Sequence, residues 1–493
     1  MSARVDKIIF AGLIAAVIFT ALAHGTVEPW SLAIFEMMIV ALVLMWGAKA
    51  VFDKRLAINV PKAALPLAAL LVFAFIQSLA FRGGDGRRVS LSIDTEATRG
   101  AVLALLFLLI AFIIAANFFA GHRRLRTVAL TLTIYGLVMA VFAIVQHFTW
   151  NGKFYWLRPA SAGVTSAFGP FANHNHFAGY MELLMPLPLA LVITRAANRD
   201  SRLFYLFAAT MMAVAAIASL SRGGMISLTA QIVFIALMSV RKDKTPGRAG
   251  AGTRRQRNMQ APHVAGDFST SASPRLRVSA ALHSAAMIAL IIAAIAAGIC
   301  WTGPERVLDR VAQTEMVSDD PKAETFFESR GWIWRDTLAM ISANPVFGVG
   351  LGAYETAYPR YSKDDVTNKA GASYRVDRAH NDYLQVLADC GSVGGVIVLW
   401  FIVSLFRAVA AGARSDNPLS RAFAIGGGAG LFGMLTHSFF DFNLQLPSNA
   451  LLFLLLAAVV TRIGAVARER EAESAAEPIE QVSEFAFVTG VSS

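Results

Sequence analysis

Long and almost uninterrupted runs of apolar residues dominate the chain, with short polar segments between them. A helix needs about 20 apolar residues to cross the hydrocarbon core of a bilayer. Lipid also requires every backbone polar group to be satisfied within its own segment, which favours helices. The pattern therefore predicts an all-α polytopic membrane protein with about twelve transmembrane helices. These lie near 7–24, 30–48, 63–81, 99–120, 127–148, 176–194, 203–220, 223–240, 278–301, 383–411, 420–440 and 446–465.

Two polar segments are much longer than the others and divide the chain. The first, 241–277, is basic and of low complexity. The second, 302–382, contains a helical pattern that Asn344-Pro345 is expected to end, since proline stops a helix, and a second helix is expected to begin near His380. The predicted organisation is N-terminal helices in 1–160, central helices with the basic cytoplasmic loop 241–277 in 161–301, an outer loop in 302–382, C-terminal helices in 383–465 and a cytoplasmic tail in 466–493.

The composition supports a membrane protein and excludes several other classes. Of 493 residues, 56% are hydrophobic and 16% are charged, whereas soluble domains carry about 25% charged residues. The net charge of +11 could indicate nucleic-acid binding. However, the short basic segments 123–126 and 195–202 fall on the cytoplasmic side when both termini are cytoplasmic, as the positive-inside rule requires. No nucleic-acid partner is predicted. Whether Cys300 and Cys390 pair is left open.

The clearest functional candidate is an arginine between two apolar runs. Ser221-Arg222-Gly223-Gly224 joins them with almost no loop, on the predicted outer face. An ionisable group at a membrane edge is a functional candidate by default. Because a guanidinium binds phosphate through a planar fork, Arg222 could hold a phosphate-bearing substrate. The alternative is an arginine that snorkels from a helix end.

More basic residues lie in and after the long outer loop. Arg330, Arg335 and Arg378 could bind a pyrophosphate, or they could form a solvated surface. His380 is followed by Asn381 and Asp382 at the start of a predicted membrane helix. A histidine beside carboxylate and amide groups can act as a general base near neutral pH. It could equally cap the helix.

Two further polar stretches fall on the same predicted face. Asn173 and His176 precede the sixth span, and His437 and Asp441 end the eleventh. Asn and His can bind sugar hydroxyls, or they can form a structural cap network. His174, His176, His380 and His437 could also bind a metal, but their spacing matches no recognised zinc pattern. The chain has no Walker-type loop either, so no metal and no cofactor are predicted.

At these residues the chain resembles the superfamily of O-antigen ligases and O-antigen polymerases. The matching elements are Ser221-Arg222-Gly223, the helix from Arg330 to Arg335 leading to Asn344-Pro345 and Gly348, and His380-Asn381 before a Gly-rich membrane helix. The stretches 173–179 and 437–447 look like further family features. The resemblance covers roughly 160–455.

The resemblance implies a GT-C-type membrane glycosyltransferase with a helical periplasmic loop, in the bacterial inner membrane. It implies transfer of a glycan from an undecaprenyl-diphosphate donor to an acceptor hydroxyl, on the lipid A core or on another repeat unit. It assigns His380 as the catalytic base, and Arg222 and Arg330 as the diphosphate-binding residues. Arg335, Arg378 and Asp441 follow as weaker candidates.

Two other functions remain open at this stage. A transporter or flippase of lipid-linked sugars would also need arginines for a diphosphate. Transport sites usually lie near the midplane of the membrane, however, whereas these polar groups gather on one predicted face. A structural or sensory protein would leave that gathering unexplained. The sequence does not separate a ligase from a polymerase or from a protein-glycosylating enzyme.

Overall fold

The computed structural model describes residues 2–82, 88–160, 167–239, 326–362 and 376–476. The chain is almost entirely helical in these ranges. The helices are α1 (Ser2–Leu22), α2 (Pro29–Phe52), α3 (Ala64–Gln77), α4 (Thr95–Phe118), α5 (His122–Phe148), α6 (His174–Leu184), α7 (Pro186–Ile193), α8 (Arg202–Ala218), α9 (Arg222–Ser239), α10 (Phe326–Ala343), α11 (Tyr354–Ala357), α12 (Asp382–Ala413), α13 (Pro418–Ala422), α14 (Gly428–His437) and α15 (Pro447–Ala476).

Strands are few and short in the described ranges. β1 (Ala80–Arg82) pairs antiparallel with β2 (Arg88–Ser90), and β3 (Lys153–Phe154) pairs antiparallel with β4 (Arg158–Pro159). Both hairpins connect helices and contribute no sheet to the core. The predicted all-α architecture is confirmed.

The described part of the chain contains 8 helical stretches that are long and apolar enough to cross a membrane, with α6 and α7 counted together as His174–Ile193. Two further apolar helices, α3 and α8, are shorter. The predicted span 420–440 is helical from Pro418 to His437, with a π-helical turn at Phe423–Gly427 between α13 and α14. The predicted span 278–301, the basic loop 241–277 and Cys300 lie outside the described residues. The count of about twelve spans stays a prediction, as do the domain boundaries.

The sixth predicted span consists of two helices, because Pro186 lacks the N–H that a continuous helix would use. α6 ends at Leu184 and α7 begins at Pro186. In the stretch His174–Ile193, 94% of the most apolar window is buried, against 22% for α2. α6 and α7 therefore lie inside the bundle, whereas α2 presents most of its surface outward, as expected of a helix that faces lipid.

A second, smaller core lies outside the main bundle. It is formed by α10, α11 and the segment before α12, with Ile333, Met340, Tyr354, Tyr358 and Ala379 among its buried residues. Two predictions are confirmed here: α10 ends just before Asn344-Pro345, and a helix starts close to His380, at Asp382.

The loop after α10 is hydrogen-bonded to a break in α12. Gly391 has a non-helical backbone (φ 61°) inside α12. Val349 N donates to Ala388 O at 2.9 Å, and Ser392 N donates to Pro345 O at 2.9 Å. The break thus supplies free backbone groups that attach the smaller core to the bundle.

Candidate functional site

A single buried carboxylate connects several of the predicted site residues. Asp441 is fully buried, and its Oδ1 accepts a hydrogen bond from His380 Nδ1 at 3.1 Å. Its Oδ2 accepts from Asn175 Nδ2 at 2.6 Å and lies 3.5 Å from an Arg330 guanidinium nitrogen. Groups from α6, from α10 and from the segment before α12 therefore meet at one side chain.

The environment of Asp441 keeps it ionised. Complete burial raises the pKa of this carboxyl, but the hydrogen bond from His380 and the positive charge of Arg330 outweigh burial. The pKa of Asp441 is therefore held well below the usual carboxyl range. An ionised carboxylate only accepts hydrogen bonds, so Nδ1 of His380 must be the protonated ring nitrogen in this pair.

The backbone around His380 is arranged to present its ring. His380 has φ +50°, and the next residue, Asn381, caps α12 by accepting hydrogen bonds from Tyr383 N and Leu384 N, both at 3.0 Å. Trp334 Nε1 donates to Ala379 O at 3.0 Å, which ties this segment to α10. With Nδ1 used by Asp441, Nε2 is the nitrogen left to accept a proton.

Arg330 is held at the first turns of α10 beside the segment that carries Asp441. One of its guanidinium nitrogens donates to Phe440 O, and another faces Asp441. Its side chain is 14% exposed. The cation and the His380 base thus share one carboxylate, and the structure brings these two predicted residues together.

Arg222 begins α9 and is half-buried next to the same segment. Its neighbour Gly223 approaches His437 so closely that a Cβ at Gly223 would lie 2.7 Å from His437 Cδ2 and 3.1 Å from Phe440 Cβ. Arg330 also contacts Phe440. Both predicted diphosphate residues therefore border the stretch from His437 to Asp441.

Four of the weaker candidates have structural roles. Asn173 caps α6 by accepting from Asn175 N at 2.8 Å. Asp382 is buried and accepts hydrogen bonds from Ser438 Oγ at 2.9 Å and from Gln445 Nε2 at 3.2 Å. These bonds, together with the cap at Asn381, fix the turn that follows α14. His176 is buried beside Phe442, at a ring distance of 4.8 Å.

The other candidates separate into one buried residue and two peripheral ones. His437 is 1% exposed and faces Glu182. Arg335 is 50% exposed in its side chain and pairs with Asp336 at 3.0 Å, and Arg378 donates to Asp377 O at 2.6 Å. Neither arginine joins the cluster at Asp441 through these contacts.

Two residues that contact the predicted site residues were missed by the sequence reasoning. Glu182 is fully buried in α6 and accepts from His437 Nδ1 at 2.9 Å. A carboxylate inside an apolar span is costly and so signals a site, and that signal was present in the sequence. Asn175 lies between the two candidates of its segment, but nothing in the pattern distinguished it.

A metal site is not formed by the described side chains. In the ranges 2–82, 88–160, 167–239, 326–362 and 376–476, no group of three or more His, Cys, Asp or Glu residues is placed to hold a metal ion. The metal-free reaction stays a prediction.

Comparison with known proteins gives one match. Residues 207–399 match the family model described as O-antigen ligase. No curated protein matches the chain. The matched range contains Arg222, Arg330 and His380, whereas Glu182 and Asp441 lie outside it. Residues 207–399 are therefore similar to the O-antigen ligase family, and the described helices are those of a multi-pass membrane protein.

Proposed function

We propose that the protein transfers a glycan from an undecaprenyl-diphosphate donor to an acceptor hydroxyl. The observation that carries the proposal is the cluster in which Asp441 binds both the His380 base and the Arg330 cation. The reaction needs a proton acceptor and a diphosphate-binding cation next to each other. The match of residues 207–399 to the O-antigen ligase family supports this type of transfer.

His380 acts in this proposal as the general base. Its Nε2 takes the proton of the acceptor hydroxyl while that oxygen attacks the anomeric carbon of the donor sugar. The bond from the anomeric carbon to the diphosphate oxygen breaks at the same time, and the anomeric configuration inverts. Asp441 orients the ring and stabilises the imidazolium that forms, in the manner of a carboxylate in a catalytic triad.

Arg222 and Arg330 stabilise the leaving group. The departing undecaprenyl diphosphate gains negative charge as the glycosidic bond breaks, and fixed guanidinium groups stabilise that charge. Arg330 is held by Phe440 O and by Asp441, so it needs little reorganisation during the reaction. Arg335 and Arg378 are more peripheral and would contact the glycan or its diphosphate only at the margin of the site.

The proposed location is the bacterial inner membrane, with the site on the periplasmic face. A polyprenyl donor is embedded in the lipid, so an arginine at the membrane end of α9 lies where its diphosphate would be. The acceptor is the lipid A core or another carrier-linked repeat unit. His176 and Asn173 lie behind the cluster and support it.

Purified full-length protein tests the proposal. It is incubated with undecaprenyl-diphosphate-linked glycan and with either lipid A core or a second donor molecule, and new glycosidic bonds are detected by mass spectrometry. His380→Ala and Arg222→Ala should abolish transfer, and Arg360→Ala, at an exposed arginine of the same region, should leave it unchanged. Movement of labelled donor lipid across vesicles without any new bond would instead indicate a flippase.

A further inference from the structure

A row of buried polar groups lies beside Arg222 and connects three helices. Glu182 on α6 accepts from His437 Nδ1 on α14 at 2.9 Å. The other ring nitrogen of His437, Nε2, lies 3.5 Å from Ser221 Oγ. Glu182 and Ser221 are fully buried and His437 is 1% exposed, so substrate cannot touch these groups. None of them has a part in the transfer as proposed above.

This row of polar groups ends at Ser221, at the first turn of α9. Ser221 Oγ accepts from Gly224 N at 3.1 Å, and Ser221 O accepts from Met225 N at 3.0 Å. These are the two bonds of an N-cap residue. The residue before it, Leu220, has φ +57°. The direction in which the chain enters α9, and with it the position of Arg222, therefore depends on the Ser221 hydroxyl.

Two glycines make the contact possible. A Cβ at Gly223 would lie 2.7 Å from His437 Cδ2, and a Cβ at Gly224 would lie 3.2 Å from Glu182 Oε1. Only residues without a Cβ let both side chains approach the start of α9 this closely. The glycines beside Arg222 are thus explained by the buried groups and not by the diphosphate.

We propose that Glu182, His437 and Ser221 are positioning residues that hold Arg222 in place for the diphosphate. A buried carboxylate is destabilising unless it is paired. Glu182 is paired with His437, and His437 lies against the start of α9, the helix that carries Arg222. The pair keeps the His437 ring fixed, the ring keeps the Ser221 hydroxyl fixed, and the hydroxyl sets the first turn of α9. This inference rests on the proposed role of Arg222.

The test measures binding of undecaprenyl diphosphate to purified full-length protein, without requiring turnover. Ser221→Ala, Glu182→Gln and Arg222→Lys should each weaken binding about tenfold. The double variant Ser221→Ala/Arg222→Lys should bind no more weakly than Arg222→Lys alone. Ser221→Ala added to Arg330→Lys should multiply the two losses, because Arg330 is held by other groups.

Ser219→Ala is the matched control. Its hydroxyl is also buried, but it donates to Ala216 O in the last turn of α8, so binding should not change. Thermal unfolding of each variant separates misfolding from lost positioning. If Ser221→Ala unfolds, Glu182→Gln paired with Arg222→Lys provides the same comparison.

Two results would overturn the inference. One is unchanged binding in Ser221→Ala and Glu182→Gln, and the other is a loss that multiplies with that of Arg222→Lys. Failure of the proposed function would look different. The single and double variants would then lose binding as expected, but the protein would make no glycosidic bond.

Discussion

The ring of His380 is oriented by two contacts. Asp441 holds Nδ1, and Phe442 lies against the ring at 4.9 Å. A base that is oriented in this way loses little entropy when the acceptor arrives. The same carboxylate also faces Arg330, so a change at Asp441 disturbs both the proton acceptor and the cation. Its two neighbours therefore cannot be treated as independent residues.

Replacing His380 tests the proton-transfer role. His380→Gln keeps a polar side chain of similar length but removes the proton acceptor, and it should lower the transfer rate about 10²- to 10⁴-fold. The rate is measured with saturating donor and acceptor. His122→Gln, at an exposed position of α5, should retain the full rate. A His380→Gln rate within threefold of the wild type would remove His380 from the mechanism.

Replacing Asp441 tests the electrostatics of the cluster through pH. The folded pKa of Asp441 lies below its unfolded value of about 3.8, so its charge stabilises the fold above that pH and the contribution is lost as the pH falls. Asp441→Asn should therefore be less stable than the wild type at pH 7, by thermal unfolding in detergent. The difference should shrink below about pH 4. An equal difference at both pH values would contradict the assignment.

At the scale of elements, the loop after α10 is joined to the break in α12 by close backbone contact. Gly348 has φ +71°, and a Cβ there would lie 2.4 Å from the Asp389 carbonyl carbon. Gly391 is in the corresponding position on α12, where a Cβ would lie 2.3 Å from Val346 O. Since His380 precedes α12 and Arg330 is on α10, this contact helps to hold the two residues together, alongside the hydrogen bond from Trp334 to Ala379 O.

Gly348→Ala should loosen that contact. The substitution adds a backbone strain and a clash, and it should destabilise the protein by roughly 1–3 kcal/mol. It should also make the segment after α10 more sensitive to protease. Gly100→Ala is the control, because nothing lies within 4 Å of that Cβ on α4. Equal protease resistance in the two variants would show that the contact does not hold the loop.

Signals from neighbouring residues in the sequence predicted where one helix ends and where another begins. Asn344-Pro345 correctly marked the end of α10, and the polar residues after His380 correctly marked the start of α12. The division between α6 and α7 at Pro186 was missed, although proline signals it. The backbone contact of Gly348 with α12 joins residues about 40 positions apart, and the sequence pattern alone carries no information on such pairings.

At the scale of the molecule, the helices differ sharply in how much of their surface other helices cover. The most apolar windows of α6–α7 and α15 are 94% and 78% buried, whereas those of α1 and α9 are each 33% buried. The buried helices carry Glu182, and the segment between α14 and α15 carries Asp441. The candidate site is therefore supported by the most enclosed part of the bundle.

The gathering of the site residues was predicted from topology, but its connections were not. Charge and span counting put Arg222, Arg330, His380 and Asp441 on one face, and in the structure they border one short segment. The role of Asp441 as the shared partner could not be predicted, because burial and hydrogen bonding depend on packing between distant helices. The same applies to Glu182 and His437.

Two exposed positions at opposite ends of the bundle report on the two faces of the membrane. Leu157 at the β3–β4 hairpin is 81% exposed, and this hairpin lies on the same end of the bundle as the site, since Tyr155 contacts Leu22 and Gly25 lies near Leu446. Asn198, between α7 and α8, is also exposed and is predicted to be cytoplasmic. Single cysteines at the two positions therefore report on opposite faces.

With Cys300 and Cys390 replaced by alanine, a membrane-impermeant maleimide should label Leu157→Cys in intact spheroplasts. It should label Asn198→Cys only after lysis. The cytoplasmic assignment of Asn198 follows from the arginines of 195–202, which the positive-inside rule keeps on the cytoplasmic side. Labelling in the reverse order would place His380 on the cytoplasmic face, where a periplasmic acceptor could not reach it. The transfer proposal would then fail even with every contact of the cluster intact.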